Sequence, residues 1–318
     1  MRAIVLTAPG RIEMREVPTP KPPKGRVRIR TAACGVCATD LVMIEGNPRV
    51  KYPAILGHEW SGVVDAVGPG VDAALVGRRC VAENVLADGG EVGFEHPGGY
   101  GEFLVTAAAN VQALPSDFDP AAAALIEPLA VCVRAMRRLG EIEEGDALVL
   151  GDGPIGLLML VLLKRAGVKK VVLAGGRVGR LKLARHLGAR EALNYHKRGE
   201  TSRQSCCFST AVEASGSAKG MRTAMNVVVP GGKVLVIGDY GDARADFPWN
   251  LLLHHELQII GSNASAGAWP EAVRLATNAA LPLAQLVSAR FPAERFAEAI
   301  DLVRRRRGDI VKVVMEWE

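Results

Sequence analysis

In the stretch "AACGVCATD", residues 32–40, Cys34 and Cys37 stand three positions apart, with Asp40 three further on. A Cys-x-x-Cys serves as a redox pair, as half of a structural zinc site, or as the frame of one working thiolate. A four-cysteine zinc needs a second matching pair, and Cys80, Cys132 and the adjacent Cys206 and Cys207 do not supply one. A redox pair opens a helix in a thioredoxin-like βαβ setting, whereas the surroundings of Cys37 read as strand. That leaves one thiolate with partners elsewhere. "ILGHEWSG" places His58 beside Glu59, and "AALIEPLAV" carries Glu127 in an apolar run. A catalytic zinc takes three protein ligands of cysteine, histidine or carboxylate type and keeps one position open. Cys37, His58 and Glu127 meet that specification, with Glu59 as a spare carboxylate. Singly, each has a plainer use as a core thiol, a satisfied core histidine or a helix-start acid. Their conjunction with a nucleotide loop is what singles them out.

That loop lies in "ALVLGDGPIGLLMLVLLKRAG", where a strand runs into Gly151-x-Gly153-x-x-Gly156 and then a helix. In such a loop the first glycine makes the tight turn, the second admits a pyrophosphate, and the third lets helix and strand pack closely. Pro154 and Ile155 complete it, and the phosphates face the positive end of the helix that follows. NAD binders carry an acid at the end of the next strand, about twenty residues on, for the ribose hydroxyls. In "VVLAGGRVGR" that position falls at Gly175, followed by Gly176 and Arg177. With no acid there in sequence to repel a 2′-phosphate, Arg177 and Arg180 are placed to pair with one. The expectation is NADP(H) in preference to NAD(H).

Elements of two kinds must position these groups. Up to about residue 125 the chain shows short β-like runs broken by Gly and Pro: "RVRIRTAA", "SGVVDAVG", "RRCVAENV" and "EFLVTAAA". This texture suits a mostly antiparallel, barrel-like domain. From about 130 strands alternate with helices, through "DALVLG", "KKVVLAG", "TAVEASG" and "GKVLVIGD", which indicates a parallel sheet with crossover helices. Helical patterns at 269–280 and 293–305 and a last strand, "IVKVVMEW", then return to the first domain. The predicted fold is α/β: a discontinuous, mostly-β domain of residues 1–128 and 263–318, interrupted by a nucleotide-binding domain of residues 129–262. The 318 residues allow two such domains. The 39 Lys+Arg against 34 Asp+Glu give a thinly spread +5. Its dense run, "RRRR" at 304–307, reads as a solvated helix end, and no basic face suggests nucleic acid. "MRAIVLTAPGRIE" reads as a first strand and no apolar stretch is long enough for a membrane span. Six irregularly spaced cysteines point to a reduced, cytoplasmic setting.

In order, "CGVCATD", "GHEWSG", "GGYGEF", "EPLAV", "GDGPIG", "VEASG" and "GGKVLVIG" resemble the zinc-dependent medium-chain dehydrogenase/reductase family, essentially end to end. "EPLAV" is similar to the polyol, sugar and threonine dehydrogenase branches, where a Glu replaces the third Cys ligand. The resemblance implies a GroES-like catalytic domain interrupted by a Rossmann domain, with the active site in the cleft between them. It implies zinc on Cys37, His58 and Glu127, with Glu59 able to ligate in some states. It also implies Asp40 orienting the His58 imidazole, Thr39 starting a proton relay, and Lys312 helping to hold the cofactor phosphates. Cys34 has no family role and reads as a packed thiol. Many relatives bind a second, structural zinc through a four-cysteine loop. The corresponding stretch here, "ENVLADGGEVGFEHPGGYGEF", has no cysteine, so one zinc per chain is expected. Val42 stands where several relatives carry a relay histidine, and His96 reads as an exposed loop residue.

The implied reaction is reversible hydride transfer between NADP(H) and a secondary alcohol or ketone, with a polyol, sugar or aminocyclitol favoured. A homodimer or homotetramer is implied, with "ELQIIGS" a candidate interface strand. The alternatives are a zinc-free enone or quinone reductase of the same superfamily, and a non-catalytic NADPH-binding protein.

Overall fold

The computed structural model describes residues 1–142, 144–197, 206–242, 244, 246–277, 281–305 and 308–317. Arg306 and Arg307 of the tetra-arginine run, and the last three residues of the 269–280 helical pattern, lie outside the described residues. Two compact units are present, Met1–Ala130 with Ala266–Glu318, and Val131–Ser265. No helix among the described residues is long and apolar enough to cross a membrane.

The first unit is organised by strand Arg26–Val36, whose Val27 and Ile29 are buried while Arg26, Arg28 and Arg30 turn away from the core. That period-two pattern is what a half-buried strand requires. Toward its end, from Ala33 to Val36, every residue is buried, because neighbours cover both faces. The sheet runs, in spatial order, 287–292, 312–316, 26–36, 59–67, 79–82 and 111–113, and strand 103–107 also pairs with 26–36. Register does the positioning. Gly35 lies opposite Glu59, and Val36 opposite Val313. His58 and Lys312, each one residue before those partners, are therefore carried to the end of strand Arg26–Val36 where Cys37 begins.

Cys37 is followed at once by a short helix, Ala38–Ile44, for which it occupies the N-cap position. The strand-like reading of its surroundings is thus corrected on one side: the strand stops at Val36. The Asp40 side chain brings this about, accepting the Cys37 backbone N–H at 2.8 Å. Such a reach back from the first turn satisfies an amide that the new helix would otherwise leave unpaired. Helix Ile126–Leu139 carries Glu127 in its first turn.

The second unit is a six-stranded parallel sheet in the order 191–194, 171–175, 147–150, 208–213, 228–236, 258–261. Numbered within the unit this is 3-2-1-4-5-6, which leaves a crevice beyond the strand ends where the order reverses. Strand Ala147–Leu150 is buried throughout, as a central parallel strand should be. Helix Pro154–Arg165 follows, with Gly153 at its N-cap and proline in its first turn. Both choices suit a helix start.

Candidate functional site

Cys37, His58 and Glu59 form a group whose Sγ, ring nitrogen and carboxylate oxygen lie within 4.8 Å of one another. Among the described residues it is the one cluster of three such groups. His58 and Glu59 are buried and Cys37 is half-buried. A zinc ion sits about 2.0–2.3 Å from S, N and O donors, so this spacing and donor chemistry fit one. Glu127 is outside the group, yet close enough for the charges of His58, Glu59 and Lys312 to act on it.

His58 is held at three points, two on the imidazole and one on its backbone. Its Nδ1 is 3.1 Å from Asp40 Oδ1, which leaves Nε2 as the outward-facing nitrogen. Phe94 stacks against the ring at 4.6 Å between centroids. The backbone carbonyl of His58 accepts from Asn84 Nδ2 at 2.7 Å, and Asn84 in turn accepts from Trp60 Nε1 at 3.0 Å. Asp40 itself is fully buried, and its second oxygen also accepts from the Tyr100 hydroxyl at 3.0 Å. Burial alone would lower the His58 pKa, but the charge and hydrogen bond of Asp40 outweigh it and hold the group well above its ordinary value. Fixing the tautomer through a carboxylate is the arrangement that suits a metal-ligating imidazole. Tyr100, Phe94 and Asn84 escaped the sequence reading. Only Tyr100 had a signal, as the aromatic of "GGYGEF".

Glu59 faces inward and is 1% exposed. Both its oxygens accept from Lys312 Nζ, each at 2.6 Å. Lys312, expected to hold cofactor phosphates, therefore has its ammonium on Glu59, and it is itself 4% exposed. Burial would lower the lysine's pKa, and Glu59 reverses the shift, so the ammonium stays charged. Gly35 is needed here. A Cβ at this residue would come 2.2 Å from Glu59 Oε2, so the carboxylate would have to leave its place on Lys312.

Burial pushes the Glu127 carboxyl up to about 7, with His58 lowering it and Glu59 raising it in smaller measure. Thr39 Oγ1 lies 3.6 Å from Cys37 Sγ, at the rim of the group. Val42 is 48% exposed. Cys34 is a packed thiol, raised well above the ordinary range by burial and then by the nearby carboxylates. Arg49, from outside the cysteine-free loop, grips the loop's Glu95 at 2.7 Å and Glu91 at 3.1 Å and lies over the Phe94 ring. His96 pairs with Asp88 at 3.0 Å.

In the second unit, Gly151, Gly153, Pro154, Ile155 and Gly156 make the turn from strand 147–150 into helix Pro154–Arg165. Gly175 ends strand Val171–Gly175, and Gly176 and Arg177 lead into helix Val178–His186. An acid is nevertheless present at this strand end, which the sequence reading had denied. It is Asp152, from the glycine loop. Its Oδ2 accepts the amides of Gly176 at 2.9 Å and Arg177 at 2.8 Å.

Residues 23–116 match the alcohol dehydrogenase GroES-like domain family, and residues 154–278 match the zinc-binding dehydrogenase family. The chain is 31% identical over 314 residues to the D-altritol 5-dehydrogenase of Agrobacterium fabrum, covering 92% of this chain and 93% of that one. The chain belongs to the medium-chain dehydrogenase family. It is also 28% identical to the L-threonine 3-dehydrogenase of Saccharopolyspora erythraea, over 100% of this chain and 99% of that one. A crystal structure from Escherichia coli CFT073, described as a short chain alcohol dehydrogenase complexed with NADH, superposes with a TM-score of 0.92 at 26% identity. It covers 99% of each chain. For this dehydrogenase the GroES-like and Rossmann assignments follow from those matches, as does the alcohol or polyol dehydrogenase class.

Proposed function

We propose that the chain is a zinc-dependent dehydrogenase that moves a hydride between a secondary alcohol and NADP(H), on a polyol, sugar or aminocyclitol. The observation that carries this reading is the convergence of Cys37, His58 and Glu59 within 4.8 Å, from two distant segments, beside a carboxylate that fixes the histidine. Cys37 and His58 would hold the ion, with Glu127 or Glu59 as the third donor. Bound zinc would supply Lewis-acid polarisation of a carbon–oxygen bond, and bound NADP(H) the hydride acceptor or donor.

The chain's own residues do the rest. Asp40 keeps a proton on His58 Nδ1, so that Nε2 is the nitrogen that would give up its proton to present a lone pair to a metal. Thr39, half-buried at the rim, relays the alcohol proton, its hydroxyl oxygen accepting it while its own hydroxyl proton passes to water. Glu127 and Glu59 divide the carboxylate role by charge state. Both Glu59 oxygens are engaged by the Lys312 ammonium, while Glu127, with a pKa of about 7, is free to ionise when a cation arrives. A single zinc per chain is supported by the cysteine-free loop, which Arg49 fastens with ion pairs instead.

The NADP(H) preference rests on Arg177 and Arg180 at the end of strand Val171–Gly175. Both guanidiniums lie 3.7 Å from the Asp152 carboxylate, which gathers their positive charge at this strand end. The polyol preference rests on the "EPLAV" sequence and on the D-altritol relative. A homodimer or homotetramer is part of the proposal, for which strand Gln258–Gly261 offers the outer edge of the parallel sheet. A screen of cyclic and acyclic polyols for NADP+ reduction, repeated after chelation and after zinc is restored, tests the whole reading. Turnover that survives chelation removes the metal from it, and a lower Michaelis constant for NADH than for NADPH removes the cofactor preference.

A further inference from the structure

We infer that Asp152, the residue between the first two glycines of the loop, sets the dinucleotide selectivity of this chain. The inference deepens the proposed use of NADP(H) and rests on the nucleotide being held at this loop. In NAD binders the selecting carboxylate stands on the end of the second strand. Here that residue is Gly175, and it has no room for a side chain. A Cβ on it would meet Asp152 Cβ at 2.5 Å and Asp152 Oδ2 at 2.7 Å. The space that a strand-end acid would occupy is already filled by an acid delivered from the loop.

Asp152 is 5% exposed, and each of its oxygens has a defined task. Oδ2 accepts the two consecutive amides of Gly176 and Arg177, which fixes how the chain leaves the strand. Oδ1 lies 3.7 Å from Nη1 of both Arg177 and Arg180, and Arg180 Nη1 also donates to the Asp152 carbonyl at 3.5 Å. One carboxylate thus gathers two guanidiniums at the strand end and subtracts its charge from the attraction they exert on an anion. The subtraction acts on a ligand carrying a 2′-phosphate far more than on one carrying a ribose hydroxyl, because the phosphate brings the larger charge. Selectivity is then a balance within one cluster, and the glycine loop tunes it.

The test uses two probes that differ only at the 2′ position, 2′,5′-ADP and 5′-AMP, titrated by calorimetry against the full-length protein and Asp152→Asn. Asparagine keeps an acceptor for the two amides and removes the charge. The ratio of the 5′-AMP to the 2′,5′-ADP dissociation constant should rise by about tenfold, the order expected for removing a unit charge near the ligand. Asp152→Ser should move it the same way and carries the reading if the asparagine variant fails to fold. A ratio that is unchanged or falls in a folded variant overturns the inference, and so does failure of the wild type to bind either probe. Should the wild type prefer 5′-AMP while Asp152→Asn still shifts toward 2′,5′-ADP, the inference stands and the proposed NADP(H) preference falls.

Discussion

Two polar clusters among the described residues are built on different plans. At the end of strand Arg26–Val36, side chains meet side chains: Asp40 on His58, Lys312 on Glu59, Tyr100 on Asp40. Almost every member is buried, and the charges are held in pairs. At the end of strand Val171–Gly175 one side chain serves backbone as well as side chains, Asp152 placing one oxygen on two amides and the other near two guanidiniums. The first plan suits a small, compact charge that must be caged by fixed donors. The second suits a long ligand whose phosphates are read by amide groups and helix ends. A charge change should therefore be costly to the protein itself in the first cluster and felt mainly by the ligand in the second.

That contrast can be broken by measurement. Thr39→Ala should lower turnover by about 10²–10⁴-fold, the usual worth of a positioned proton acceptor, with NADPH affinity unchanged. Equal loss in both would make Thr39 a structural residue. Lys312→Met strands the buried Glu59 carboxylate and should cost about 3–5 kcal/mol of stability, read by denaturant unfolding. Adding Glu59→Gln should recover most of it, and a stable single variant would show that the ion pair is not what the cluster rests on. Arg177→Ala should weaken NADPH binding by about tenfold or more while hardly changing thermal stability, the opposite pattern to Lys312. Similar losses of stability in both would erase the distinction.

The smallest effect concerns Glu127. Its folded pKa is raised to about 7 from an ordinary 4.5, so the folded metal-free protein binds the proton more tightly than the unfolded chain. That contribution to stability is full below pH 4.5 and is lost as the pH rises through about 7. Glu127→Gln should flatten this part of the stability profile of the metal-free protein. A slope equal to that of the wild type would mean that burial does not shift the group.

The sequence carried the second region's outline more completely than the first's. Gly151, Gly153 and Gly156 between a buried strand and a helix are a local pattern, and the order of strands follows from right-handed crossovers. The charge at the strand end was misread because its source, Asp152, is 23 positions before Gly175, and only the fold brings a loop residue onto another strand's end. In the first region Cys37, His58 and Glu59, which the fold brings together, were legible as a set from their types. Their support was not. Opposition of Gly35 to Glu59 and of Val36 to Val313 is a matter of strand register, which sequence spacing does not encode. Lys312 consequently looked like a ligand-binding base, when its ammonium rests on Glu59. Cys37 looked embedded in strand because the signal for its helix is a single residue, Asp40, whose side chain turns back on the Cys37 amide.

The most direct measurement is the metal content of purified wild-type protein, Cys37→Ser and His58→Ala by plasma mass spectrometry, with NADPH binding followed in parallel. About one zinc per wild-type chain is expected, lost in both variants, with NADPH binding retained throughout. Zinc kept by both variants, or absent from a wild type purified with zinc in excess, would contradict that expectation.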